Sequence, residues 1–145
     1  MNRMLLIVTV ALALALLAAS AGTYSALPQQ IPIHFGPTGV DRWAPKTFFA
    51  WHGLPLLALG LCAMNYLIGA LLAPRPRLIN IPRKARLLAL PRDRQQHVMR
   101  WFWVLMQTIG LVEVLLLTVA QYGLWRAAAA NTYEGRVIAA VVISM

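Results

Sequence analysis

The sequence predicts an all-α membrane protein. It has three full transmembrane helices, room for a short partial fourth, and a structured extracytoplasmic loop after the first helix. Three observations carry that class. First, 60% of the 145 residues are hydrophobic and 12% charged, with mean hydropathy +0.66. A soluble domain is roughly a quarter charged, so this excess of apolar mass needs a solvent other than water. Second, the apolar residues fall in blocks at 4–22, 48–73 and 101–125. Each block reaches the ~20 residues that cross a bilayer core. Third, eight of the thirteen basic residues lie between positions 75 and 100, which marks that loop as cytoplasmic by the positive-inside rule.

Taken in order, residues 4–22 form an uncharged run behind Arg3. Arg3 and Ala19-Ser20-Ala21 also fit a secretory signal peptide, but the run is long for that purpose and favours a retained helix. The outer loop, 23–47, follows. Pro28 and Pro32 push their predecessors toward extended backbone. Ile31, Ile33 and Phe35 alternate with Pro32 and His34, the period-two pattern of a half-buried strand. Gly36-Pro37-Thr38-Gly39 is a turn signal, and Val40 to Trp43 returns. The expectation is a small hairpin with one apolar face and with His34 and Asp41-Arg42 on the other. Trp43, Phe48, Phe49 and Trp51 suit an interfacial aromatic belt.

The second span, 48–73, contains His52, Asn65 and the single cysteine, Cys62, so neither an intramolecular disulfide nor a cysteine-based metal site is available. Gly53, Gly60 and Gly69 permit close helix approach. The basic loop, 74–100, opens with Pro74-Arg75-Pro76, which ends the helix. Pro82 suits the first turn of a short helix reaching Leu90 in the headgroup plane. Pro91 opens another helix, which runs into the third span, 101–125. A polar outer turn at 126–136 and the apolar run 137–145 close the chain; that run is too short to cross alone.

Net charge is +9 and the pI is near 11.2. Prolines and leucines interrupt the charges, so the expected partners are the bilayer and its anionic headgroups rather than nucleic acid. No catalytic constellation, phosphate-cradling loop or cofactor fingerprint is present, and the protein is read as non-enzymatic, without cofactor. In the outer loop, His34 with Asp41, Arg42 and Lys46 is a candidate binding or proton-sensing site. The plainer reading pairs Asp41 with Arg42 or Lys46 and gives His34 a loop carbonyl. Zinc on His34, His52 and Asp41 is admissible by ligand type, but the spacing fits no metal pattern. Within the spans, Glu113 is either a proton-linked acid or helix glue, and Asn65 and Gln107 come to similar depths, where they can bond across the helix pair.

The ordered positions Leu27-Pro28, Ile31-Pro32, His34-Phe35-Gly36, Gly39, Asp41-Arg42-Trp43 and Lys46, just after a first membrane helix, resemble the signature of the family called domain of unknown function 1648 (DUF1648). Asn80-Ile81-Pro82-Arg83-Lys84 resembles the Asn-x-Pro-x-Lys stretch that such proteins carry after their second helix. The resemblance covers roughly residues 5–125. It implies a bacterial, multi-pass inner-membrane protein with a cytoplasmic N-terminus. It also implies recognition at His34, Phe35, Gly36, Gly39, Asp41, Arg42, Trp43 and Lys46, with Asn80, Pro82 and Lys84 as a cytoplasmic motif. The domain occurs in SdpI-like proteins, which points to immunity or signalling toward a peptide at the outer face. Family members continue into a full further span where this apolar run stops, and the larger SdpI-like region is absent. The alternatives are a small proton-coupled transporter component using Glu113 and, at lower weight, a membrane-embedded hydrolase.

Overall fold

Peptide groups in an apolar medium must satisfy one another, and the long apolar runs do so as helices. The computed structural model describes the backbone over residues 3–143 and side chains over residues 3–130. The elements in chain order are α1 (Arg3–Tyr24), β1 (Gln30–Gly36), β2 (Gly39–Pro45), α2 (Phe48–Leu72), a 3-10 turn (Pro76–Leu78), α3 (Lys84–Leu88) and α4 (Arg92–Ile143). Three of the helices, α1, α2 and the Arg92–Ala130 portion of α4, are long and apolar enough to cross a membrane. Only about a quarter of each apolar window is buried by the protein itself (22–28%), and the remainder is the kind of surface that lipid covers.

The chain divides into two units, and each long helix contributes to both. One unit comprises Leu14–Leu57 and Leu116–Met145; the other comprises Met1–Ala13 and Ala58–Leu115. The first holds the hairpin. Its core joins Leu27, Ile31, Trp51, Leu124 and Ala128, with Tyr24, Ala50 and Leu54 packed around them. The hairpin is antiparallel, with Gly36 opposite Gly39 across Pro37-Thr38. The glycine at 39 has φ +122°, a backbone that L side chains avoid. At its base, the Lys46 N–H donates to the Gln29 carbonyl. The helix that follows begins where Thr47 caps it, its hydroxyl oxygen accepting from the Ala50 N–H at 3.2 Å.

Burial in β1 departs from the expected alternation. Ile31 and Pro32 are both fully buried, whereas Ile33 and Phe35 are 39% and 44% exposed. The ladder is irregular on both sides of His34, so the period of two is reset inside the strand and Ile33 is turned out of the core. Trp51, expected in an interfacial belt, is instead a core residue at 1% exposure, while Trp43, Phe48 and Phe49 are exposed.

In the second unit, a small core of Ile79, Leu87 and Met99 gathers Leu72, Ile81 and Phe102. This holds the basic segment between α2 and α4. The short helix α3 starts later than expected because Arg83 adopts a left-handed backbone (φ 61°) and so cannot be its first turn. Pro91 does open α4, its carbonyl accepting from the Gln95 N–H at 3.0 Å. The turn expected at 126–136 is absent. Instead α4 is continuous helix to Ile143, and the expected fourth segment is its extension as far as the described backbone reaches. Alanines 127–130 are strong helix formers, and neither proline nor glycine interrupts residues 124–134.

The reset alternation is testable by stability measurements in bicelles. Ile31→Ala should cost about 2–4 kcal/mol, and Ile33→Ala well under half of that. Equal losses would mean that β1 alternates regularly.

Candidate functional site

In the hairpin, the two-residue turn fixes what faces what. A regular ladder continued from Gly36 opposite Gly39 and Phe35 opposite Val40 would set His34 against Asp41. The local slip makes Arg42 the backbone partner of His34, yet the side chains of His34 and Asp41 still meet, Nδ1 to Oδ1 at 2.7 Å. Both are about half exposed (54% and 45%). An ionised carboxylate only accepts, so Nδ1 carries the bonding proton. The hydrogen bond from His34 is the main cause holding the Asp41 carboxyl below its ordinary 3.8. Desolvation opposes it, and the charges of His34 and Arg42 assist. Asp41 therefore pairs with His34, not with Arg42 or Lys46.

Gly36 leaves space for this arrangement: a Cβ there would lie 2.6 Å from Asp41 Oδ2, and the carboxylate would have to shift. Lys46 serves the hairpin's root. Its Nζ donates to the Leu27 carbonyl at 3.1 Å and sits 5.3 Å from the centre of the Tyr24 ring. Phe35 lies beside Gly123 of α4, its ring 3.4 Å from where a Cβ of residue 123 would stand. Arg42 and Trp43 are exposed on the returning strand.

Beneath the hairpin is a buried polar junction that the sequence reading missed. The Ser20 hydroxyl and His52 Nδ1 are 2.8 Å apart, and the His52 ring lies between those of Phe48 and Tyr24, at 4.6 and 5.2 Å. The Trp51 indole N–H donates to the Ser20 carbonyl at 2.9 Å. Pro55, inside α2, has no N–H to give the carbonyl four residues earlier, that of Trp51. Gln121 Nε2 of α4 donates to that carbonyl instead, at 3.3 Å. One clue was available: a glutamine deep in an apolar run, and a proline in another run that leaves one acceptor to be met. His52 thus bonds Ser20 and does not join His34 and Asp41 as a ligand set.

In the other unit, Asn65 Nδ2 donates to Glu113 Oε2 at 2.7 Å and to the Leu61 carbonyl at 2.9 Å. Glu113, not Gln107, is the partner of Asn65. Gly110, one turn before Glu113, faces Asn65, and a Cβ there would make an ordinary contact with Asn65 Cβ at 3.6 Å. Gly69 makes room for Trp103, whose ring would stand 3.0 Å from a Cβ, whereas Gly53 and Gly60 have open space. Gln107 is buried nearby along the helix. Asn80 and Pro82 are exposed and Lys84 half-buried; they belong to this unit and the hairpin residues to the other.

Residues 10–59 match the profile of the family described as domain of unknown function (DUF1648). This segment, about a third of the chain, is similar to that domain. It contains the end of α1, the whole hairpin and the start of α2, hence Ser20, His34, Asp41, Trp51 and His52, but neither Gln121 nor the Asn80–Lys84 motif. No curated protein and no solved structure matches the chain.

Two outcomes test this geometry. Folding lowers the Asp41 pKa, so its contribution to the hairpin is present above pH 3.8 and is lost as pH falls through the lower folded value. A carbon-13 titration of the Asp41 carboxyl should give a midpoint below 3.8 that rises in His34→Ala and in Gly36→Ala; no rise in either would dissolve the pair. At the junction, Gln121→Leu should cost about 1–3 kcal/mol, and clearly less once Pro55→Ala restores the helical N–H. An unchanged cost in the double variant would separate Gln121 from the proline.

Proposed function

We propose that the protein is a non-enzymatic bacterial inner-membrane protein whose DUF1648 hairpin is a recognition surface on the outer face. In this reading the N-terminus and residues 74–100 are cytoplasmic, because the basic residues concentrate there. The observation that carries the proposal is the contrast between the hairpin's root and its tip. The root is anchored by buried Ile31 and Pro32 and by Lys46. The tip presents an ordered His34–Asp41 pair beside exposed Ile33, Phe35 and Trp43. A connector that merely joined two helices would need neither feature. An exposed His34–Asp41 pair on a hairpin that also exposes Arg42, Phe35 and Trp43 suits a peptide or protein segment with both polar and apolar groups. The SdpI-like resemblance supports an immunity or signalling role for such a contact.

The topology is tested in a Cys62→Ala background. An impermeant maleimide should label His34→Cys in intact cells and Lys84→Cys only after permeabilisation; labelling of both from one side would end the proposal. For recognition, a photo-reactive residue replacing Trp43 should yield one discrete protein or peptide adduct in native membranes. That adduct should vanish in His34→Ala and Asp41→Ala proteins that still insert. Adducts indifferent to both substitutions would make the hairpin structural.

A second reading rests on Glu113. Its 2.7 Å bond from Asn65 holds an acid on an apolar helix face, which suits a proton-coupled transporter component. Loss of a pH-dependent transport activity in Glu113→Gln, with folding intact, is the result that would favour it.

A further inference from the structure

We propose that the basic segment between α2 and α4 forms a binding site for a single anionic phospholipid, with the headgroup phosphate held by Arg75, Arg77 and Arg92. The three arginines line one cleft of about 540 Å3, together with Pro74, Leu88 and Gln95. Arg75 lies in the linker after α2, immediately before the 3-10 turn that carries Arg77, and Arg92 is the first residue of α4. No carboxylate lines this cleft. Guanidinium groups are the side chains best matched to phosphate, through paired parallel N–H donors. Three of them around one cleft repel the ammonium group of a zwitterionic headgroup and favour one with net negative charge.

The cleft is built rather than incidental. Arg75 is fixed by donating through Nη1 to the Leu71 carbonyl at 2.8 Å, which leaves most of its donors for a ligand. The turn is held by Arg75 N–H to Leu72 O and Leu78 N–H to Arg75 O, at 2.8 and 2.9 Å. Across the cleft, Gln95 Nε2 ties α4 to the end of α3 by donating to the Leu88 and Leu90 carbonyls at 3.2 and 2.8 Å.

What makes the occupant a lipid is the neighbouring space. A second cleft of about 780 Å3 shares Pro74 with the first; Ala73, Met99, Trp101, Trp103 and Val104 give it a mainly apolar lining, and Gln96, His97 and Arg100 complete it. Cationic and apolar clefts therefore adjoin where the apolar stretch of α2 ends. Headgroup and acyl chain change over at the same depth, and tryptophan favours it. Trp101 is 65% exposed and is oriented by donating from Nε1 to His97 Nε2 at 3.1 Å. A free phosphate ion would use the first cleft and ignore the second.

The test uses the full chain in detergent, with phosphatidylglycerol, cardiolipin or phosphatidylcholine added and bound lipid counted by native mass spectrometry. One anionic lipid should be retained per protein, and phosphatidylcholine should not compete. The triple variant Arg75→Gln, Arg77→Gln, Arg92→Gln should weaken retention about a hundredfold. A control of equal charge outside both clefts, Lys84→Gln, Arg86→Gln, Arg94→Gln, should change it less than about threefold. Trp101→Ala should also weaken retention, and inorganic phosphate should not displace the lipid. Equal losses in the two triple variants would show delocalised attraction, and displacement by phosphate would show an ion site; either overturns the proposal. If the cleft triple fails to fold by circular dichroism, Arg77→Gln alone, compared with Arg86→Gln, carries the same decision.

Discussion

The hairpin's position depends on Trp51. Its indole N–H reaches the Ser20 carbonyl and so joins α2 to α1. Its side chain packs in the core that receives Ile31. Its own carbonyl, stripped of a helical donor by Pro55, draws Gln121 of α4 to it. One residue thus connects three helices and the strand that carries the exposed tip. The driving constraint is the cost of an unpaired peptide group in an apolar medium. A proline inside a long apolar helix creates such a group, and α2 tolerates it because Gln121 supplies the missing donor.

Above that junction the controlling term changes from backbone satisfaction to local electrostatics. The short turn brings His34 and Asp41 into range, and the small slip in the ladder does not part them. The absent side chain at Gly36 leaves the Asp41 carboxylate its place, since a Cβ there would displace it. The tip therefore exposes an ion-paired His34 and Asp41, while the root is held by buried Ile31 and Pro32 and by Lys46. On the proposed topology this couples an aqueous surface to a lipid-embedded anchor through a few residues of strand.

Much of this was legible in the sequence. Apolar runs located the three long helices, the Gly36–Gly39 turn located the hairpin, and Pro91 marked the start of α4, because each signal is local and rests on chain sterics or on the thickness of a bilayer. Long-range pairing was less legible. Depth alone matches Asn65 to Gln107, but a helix face selects by rotation as well as depth, and it is Glu113, on the same side of α4 as Gly110, that meets Asn65. Ile33 was expected in the core, and a one-residue irregularity sufficed to turn it out. The polar residues after Arg126 suggested a turn, but the alanine run carried the helix through. Arg83 could not be foreseen as left-handed from residue type, since arginine is not among the residues that favour that backbone.

The DUF1648 match, residues 10–59, bears on what the domain is physically. Within that segment the Ser20–His52 and Trp51–Ser20 bonds close on themselves. The Trp51 carbonyl does not, because its donor is residue 121. The core around Ile31 likewise takes Leu124 and Ala128 from α4, and Phe35 rests beside Gly123. The matched residues therefore specify a hairpin and two helix halves that are incomplete without a third helix. That helix must offer a polar donor at one level, with small or apolar residues in the turns that follow. It need not offer a long motif, because a single amide and three unobtrusive side chains meet the requirement. This accounts for a recognisable segment that ends within α2 although the structure it supports extends into α4.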